Sequence, residues 1–249
     1  MQKKTIEILF EDPHLIVILK PEGLLSVPYQ GSNGKSAIEI LEKLMRKKGT
    51  WSKNRKPLAV HRLDRDTSGV MMFALNERAQ KKIMDNWHTL VTGRIYRALA
   101  ENPPAKKNAL PENGTIEDSL AYNAKHIGFV PKKMEEDNRY KNFQHHKSTC
   151  TYKPHNFKTT SARTHYKIIK RGKNHTLFEL SLDTGRKNQI RAHLASKGYP
   201  LCGDNHYRAK TNPFNRLTLH ARTLEFVHPF SNEQLKFEVP EPKEWLDFC

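Results

Sequence analysis

Apolar, β-branched runs that follow one another without a helical repeat between them are what most constrain the fold of this chain. Ile6–Phe10 and Leu15–Leu19 are two such runs. The Glu11-Asp12-Pro13-His14 segment between them has turn chemistry, so a pair of strands is predicted. Gly69–Leu75 reads as a buried strand, and Arg94–Ala100 and Thr176–Leu182 as two more. In the last of these, Phe178, Leu180 and Leu182 alternate with polar positions, the period of a sheet. Leu219–Val227 and Gln234–Val239 complete the set. Helical patterns are fewer. Ser36 and Glu39 have capping-box spacing before Ile38, Leu41 and Met45, with Gly49 as a stop, which predicts a helix over 36–48. Asn76 is placed to cap a second helix with Ala79, Ile83 and Trp87 on one face, and Ile190, Leu194 and Gly198 suggest a short third. Strands that outnumber helices and succeed one another directly favour an α+β chain with a mixed, largely antiparallel central sheet and flanking helices. The length allows one large domain or two small ones, and there is no internal repeat.

The segment from about 102 to 160 has a different character. It holds Pro103, Pro104, Pro111, Pro131 and Pro154 and little sustained periodicity, and it is expected to be an insertion. From Asn138 to His175 there are ten Lys or Arg and no Asp or Glu. Tyr140, Phe143, Tyr152, Phe157 and Tyr166 are interleaved with them. Cations that track a backbone, with aromatic faces that stack on unpaired bases, suit RNA; a solvated insertion whose aromatics pack on the body fits the same residues. Over the whole chain 43 Lys and Arg face 26 Asp and Glu, a formal charge of +17, which favours a polyanionic partner. Three distant cysteines, Cys150, Cys202 and Cys249, make no disulfide framework, and no stretch approaches the length of an apolar membrane span. A cytoplasmic protein that meets no membrane is the expectation.

The stretch that carries chemistry is Val60-His61-Arg62-Leu63-Asp64-Arg65-Asp66-Thr67-Ser68-Gly69. Two carboxylates lie among two guanidinium groups at the edge of a predicted strand. Neighbouring cations favour the ionised form of a carboxyl group, as a nucleophile requires. The residue types alone favour a surface salt-bridge cluster before a strand.

The order of the residues narrows the choice. His61-Arg62-Leu63-Asp64 followed by Thr67-Ser68-Gly69 resembles the HRLD-x-x-TSG signature of the RluA-type pseudouridine synthases. The likeness extends through Glu11–Val17 with Lys20–Leu24, Arg94–Ala98, Ala162–Tyr166, Thr184–Arg186 with Gln189–Leu194, Pro200–Asp204 and Leu219–Ala221, all in the family's order from near residue 7 to near 240. The resemblance implies the pseudouridine synthase catalytic fold as a single domain over 1–249, and an isomerase without cofactor or metal. It implies that Asp64 is the catalytic aspartate, Tyr96 the tyrosine that stacks on the uracil, and Arg191 the basic partner of the aspartate. It further implies that Leu219 lines the uracil pocket and that Arg62 fills the space left by a flipped nucleotide. His61 and Arg65, beside the nucleophile, are expected at the substrate side, His61 as a residue that orients the loop. The chain departs from the family at Lys187-Asn188, where Thr-His or Ser-His is common. No separate N-terminal RNA-binding domain of the S4 type fits before residue 7, so RNA contacts are expected from the catalytic domain and its insertion.

Other signals are set aside. Gly31-Ser32-Asn33-Gly34-Lys35-Ser36 lacks the first glycine of a phosphate loop, since position 29 is Tyr. His61-Arg62-Leu63-Asp64 is not the kinase order, and no Asp-Phe-Gly follows. His145, His146, Cys150 and His155 fit no tight zinc spacing. The expected partner is ribosomal or transfer RNA and the expected state a monomer. Two alternatives remain: a catalytically silent RNA-binding or assembly factor on the same fold, and a metal-dependent hydrolase using Asp64 and Asp66.

Overall fold

A computed structural model describes residues 6–29, 31, 35–104, 109–131 and 158–249. The basic and aromatic residues from 138 to 157 lie outside the described residues, as do His145, His146, Cys150 and His155.

Eleven strands form one sheet. They are β1 (Glu7–Glu11), β2 (Leu15–Lys20), β3 (Leu58–Ala59), β4 (Ser68–Ala74), β5 (Val91–Glu101), β6 (Asn113–Tyr122), β7 (Gly128–Phe129), β8 (Thr160–Arg171), β9 (His175–Leu182), β10 (Leu219–Val227) and β11 (Gln234–Glu238). The order is β1-β2-β4-β10-β5-β9-β8-β6-β7, with β3 on β4 and β11 on β10. Every pairing is antiparallel except that of β4 with β10, which run parallel through His220↔Ser68 and Ala221↔Gly69. The sheet is therefore mixed and largely antiparallel, as the succession of strands implies.

Helices flank it where the capping signals lie. In α1 (Ala37–Lys47) the Ser36 hydroxyl accepts from the Glu39 N–H while Glu39 accepts from the Ser36 N–H at 2.8 Å. In α2 (Glu77–Asp85) Asn76 Oδ1 accepts from the Ala79 N–H at 2.8 Å. Trp87 does not continue that helix but opens a separate turn, α3 (Trp87–Leu90). The third predicted helix is α4 (Gln189–Ser196), stopped by Gly198 at φ 86°.

Part of the stretch expected to be an insertion joins the sheet. Residues 113–122 are β6, paired with β8 from Asn113↔Lys167 to Leu120↔Thr160. The strand escapes a periodicity reading because it buries only Ile116, Leu120 and Ala121 among ten residues that include Asn, Glu, Asp and Ser. Likewise Tyr166, in the basic stretch, is a core residue of β8, edge-on to Phe178 with ring centroids 6.1 Å apart.

The central strands are apolar on both faces. All seven residues of β4 are buried, and Leu15, Ile16, Val17 and Ile18 of β2 are fully so. Each large apolar side chain removed from water contributes about 2 kcal/mol. One cluster packs β2 and β4 under α1, and another packs β5, β8 and β9 against α4. Tyr96, at the middle of β5, touches both. It lies where the two halves of the core meet, beside the parallel junction of β4 and β10.

Candidate active site

The loop before β4 is fixed on both sides of Asp64. The Ser26 hydroxyl donates to the Leu63 carbonyl at 2.7 Å and accepts from the Leu63 N–H at 3.1 Å. Lys20, fully buried, donates from Nζ to the carbonyls of Arg65 (3.0 Å), Leu24 (2.7 Å) and Pro21 (2.9 Å). A buried ammonium is tolerable only when its donors are used, and these three carbonyls use them. The Thr67 N–H then closes a turn onto the Asp64 carbonyl at 3.1 Å. The aspartate thus has a backbone held by contacts to the entry segment of the chain.

Its side chain lines a cavity of about 530 Å³. The wall is shared by the 60–67 loop, β5 (Arg94, Tyr96), the end of β9 with the turn after it, α4 (Ile190, Arg191) and Leu219 at the start of β10. Asp64, Tyr96, Arg191, Leu219, Arg62 and His61 all reach this one cavity from positions scattered over the sequence. Arg65 is not on its wall; it points its Nε and Nη2 at Asp66, at 2.9 and 3.2 Å. The same pair occupies Asp66, the second carboxylate of a hydrolase reading. Among the described residues no three His, Cys, Asp or Glu gather as a metal would require.

The electrostatics are uneven. Arg191 Nη1 lies 3.7 Å from Asp64 Oδ2, but its Nε and Nη2 grip Asp204 at 2.6 and 2.7 Å. Burial lowers the Arg191 pKa, and the bonds to Asp204 and the charge of Asp64 more than reverse that, so the guanidinium stays charged. The ring of Tyr207 lies 5.3 Å from the guanidinium carbon. Burial pushes the Tyr96 phenol up, opposed by Arg94 and reinforced by Asp64; it remains a neutral hydroxyl, with no hydrogen bond to the described residues. Arg62 is exposed and makes no ion pair with them. His61 accepts from the Met72 N–H at Nε2 (3.0 Å); burial, aided by Arg94, lowers its pKa to about 3. A neutral imidazole with that nitrogen engaged holds the loop against β4 and is no acid or base near neutral pH.

Sequence reasoning gave no role to Asn188. Its Nδ2 donates to Asp64 Oδ2 at 2.7 Å, nearer than any atom of Arg191. The signal available was the departure at Lys187-Asn188. It also overlooked Trp87 and Arg94, which line the cavity with the Arg94 guanidinium carbon 5.8 Å from the Trp87 ring.

Residues 14–196 match the family described as RNA pseudouridylate synthase. The chain is 30% identical over 246 residues to the uncharacterized RNA pseudouridine synthase YhcT of Bacillus subtilis, covering 98% of this chain and 71% of that protein. It is 30% identical over 259 residues to the ribosomal large subunit pseudouridine synthase D of Pseudomonas aeruginosa, with the same coverage of each. The counterpart of that enzyme in Zymomonas mobilis is 29% identical over 253 residues, again with 98% and 71% covered. In fold it is similar to human RNA pseudouridylate synthase domain containing 4, with TM-score 0.69 and 22% identity over 96% of this chain and 90% of the other. Human RNA pseudouridylate synthase domain containing 1 follows at TM-score 0.66 and 20% identity, with 97% and 87% covered.

Proposed function

The chain belongs to the RNA pseudouridylate synthase family, isomerases that convert uridine to pseudouridine in RNA, and we propose that it does so with Asp64 as nucleophile on a uridine flipped out of structured RNA. The observation that carries this reading is the meeting of Asp64, Arg191 and Tyr96 on one cavity, with Arg191 Nη1 3.7 Å from the carboxylate.

The reaction breaks the C1'–N1 glycosidic bond and makes a C1'–C5 bond; nothing is oxidised and nothing is hydrolysed. A carboxylate serves it by adding to the ring at C6 or by taking C1' as uracil departs. Tyr96 offers a flat face and Leu219 an apolar wall, between which a detached uracil can turn without leaving. The C5 proton must then be removed, with the Tyr96 oxygen as the candidate relay. Extracting the nucleotide from its stack costs a few kcal/mol, least where the RNA is unpaired, and the exposed Arg62 guanidinium, without an ion pair among the described residues, is suited to fill the gap. Arg94 and Arg186 on the same wall supply charge for the phosphates.

The substrate is ribosomal or transfer RNA. Relatives named for the large ribosomal subunit support the ribosomal choice. A cytoplasmic location belongs to the same proposal: no helix among the described residues is long and apolar enough to cross a membrane, and Cys202 and Cys249 are free. So does a monomeric state, supported by the few exposed large apolar side chains among the described residues, Tyr29, Met84, Ile169, Leu246 and Phe248.

Asp64→Asn is expected to abolish pseudouridine formation while leaving thermal unfolding and RNA binding near those of the parent. RNA from cells lacking the protein, mapped for missing pseudouridines, supplies both substrate and target. Turnover by Asp64→Asn would refute the nucleophile, and a full complement of pseudouridines in that RNA would favour the silent RNA-binding factor.

A further inference from the structure

We infer that Asn188 is a positioning residue for the nucleophile: with Arg191 it holds Oδ2 of Asp64, so that Oδ1 is the oxygen that attacks. The inference rests on the assignment of Asp64 as nucleophile.

The two carboxylate oxygens are not equivalent. Oδ2 accepts from Asn188 Nδ2 at 2.7 Å and faces Arg191 Nη1 at 3.7 Å. Oδ1 accepts no hydrogen bond from the described residues. A carboxylate anchored through one oxygen keeps its rotamer and presents the other with its lone pairs unused, the preorganisation that nucleophilic attack needs. In attack at C1', the Oδ1–C1' bond forms as C1'–N1 breaks, and its electron pair leaves with the uracil anion. In attack at C6, the Oδ1–C6 bond forms as the C5–C6 π pair shifts to give the O4 enolate. Either route uses the free oxygen.

The backbone is built for this contact. Asn188 precedes α4 in the left-handed region, at φ 58° and ψ 19°, and its side chain does not cap the helix. Asparagine tolerates that conformation better than most residues. The Gly128 N–H approaches Asn188 Oδ1 at 3.4 Å, which orients the amide with its NH₂ toward Asp64. The residue is 8% exposed, so little water competes for Oδ2. Arg191 cannot replace it while two of its nitrogens are committed to Asp204.

The donor at this position is a neutral amide, where an imidazole is common in the family. Arg191 on α4, Tyr96 on β5, Tyr122 on β6 and Tyr207 after α4 feel the charge of the carboxylate, Asp204 lies behind Arg191, and Arg62, Arg94 and Arg186 share the cavity. Burial pushes all three phenols up, so they stay protonated through neutral pH.

The test uses total RNA from cells lacking the protein, with pseudouridine read by mass spectrometry. Asn188→Gly keeps the backbone conformation and removes the donor. Its rate at saturating RNA is expected to fall on the order of 10- to 100-fold, the loss of one hydrogen bond to a charged group, with the half-saturating RNA concentration changed less than about two-fold. Asn188→Asp sets a second carboxylate against Oδ2. Two carboxylates in contact share a proton. At pH 8 the variant is expected to be at least as slow as Asn188→Gly. Near pH 5.5 the introduced carboxyl group holds a proton and donates it as the amide did, so the rate is expected to rise about ten-fold relative to the parent at the same pH. A role in folding alone would not produce that reversal. An Asn188→Gly rate within two-fold of the parent, or an Asn188→Asp profile parallel to the parent's, would overturn the inference. Turnover by Asp64→Asn would instead remove the reading beneath it.

Discussion

Arg191 and Asp204 form a two-pronged ion pair, 2.6 Å from Nε to Oδ2 and 2.7 Å from Nη2 to Oδ1, with side chains only 7% and 1% exposed. The guanidinium that faces the nucleophile is therefore held by a carboxylate behind it, which fixes how far it can lean toward Asp64.

Asp204→Asn breaks this arrangement from one side. The amide keeps one acceptor and turns an N–H toward the guanidinium, leaving a buried charge short of a partner. Removing one member of a buried pair costs about 3–5 kcal/mol. The freed guanidinium is also expected to close on Asp64, 3.7 Å away, and to slow turnover by at least about ten-fold. Urea unfolding and single-turnover rates check the two effects, and a variant with parent-like stability would show that the pair holds nothing.

The glycine of Thr67-Ser68-Gly69 has a structural reason that no spacing rule supplies. Gly69 has φ 129°, and a Cβ there would lie 2.2 Å from the carbonyl oxygen and 2.5 Å from the nitrogen of Ala221. This is the parallel junction of β4 and β10, and it brings Leu219 beside the loop of Asp64. Gly69→Ala is expected to cost more than about 3 kcal/mol or to prevent folding. Gly49 is the control: it has φ 69° and open space where a Cβ would stand, with nothing within 4 Å, so Gly49→Ala carries only the backbone cost of about 1–2 kcal/mol. Equal losses in denaturant unfolding would remove the argument from close approach.

The parts of the fold and site legible in the sequence were those encoded by neighbours. Ser36 with Glu39, Asn76 with Ala79, and the alternating Phe178, Leu180 and Leu182 each state a local structure within a few residues. Asp64, Tyr96, Arg191 and Leu219 were legible only through ordered motifs, and they reach one cavity because β4, β5 and β10 are neighbours in the sheet. What was illegible depends on contacts remote in sequence. The parallel pairing of Ser68 with His220 spans most of the chain. In β8 the buried face is Ala162, Thr164, Tyr166 and Ile168, too mixed to stand out against Arg163, His165 and Lys167 between them. Lys20 carries no mark of burial in its own sequence and is a buried clamp: beside the nearby carbonyls of Pro21 and Leu24 it reaches that of Arg65, 45 residues away.

His61 sets a pH dependence whose sign can be worked out. Its pKa falls to about 3 in the folded chain, through burial first and Arg94 second, against an ordinary value of 6.5. Between those values the unfolded imidazole binds a proton that the folded one refuses, so acid favours unfolding. The contribution is complete above pH 6.5 and is lost as the pH falls toward 3. Because the side chain is not wholly sealed from solvent, about 1–2 kcal/mol of the change between pH 7 and pH 5 is assigned to it. His175, His193 and His220, also lowered by burial, add to the same acid loss in any variant that keeps them. His61→Gln retains an acceptor for the Met72 N–H and cannot titrate. Urea unfolding of both chains at pH 7 and pH 5 is expected to show a smaller acid loss in the variant by that amount. Identical losses would mean that His61 takes up its proton without disturbing the loop that carries Asp64.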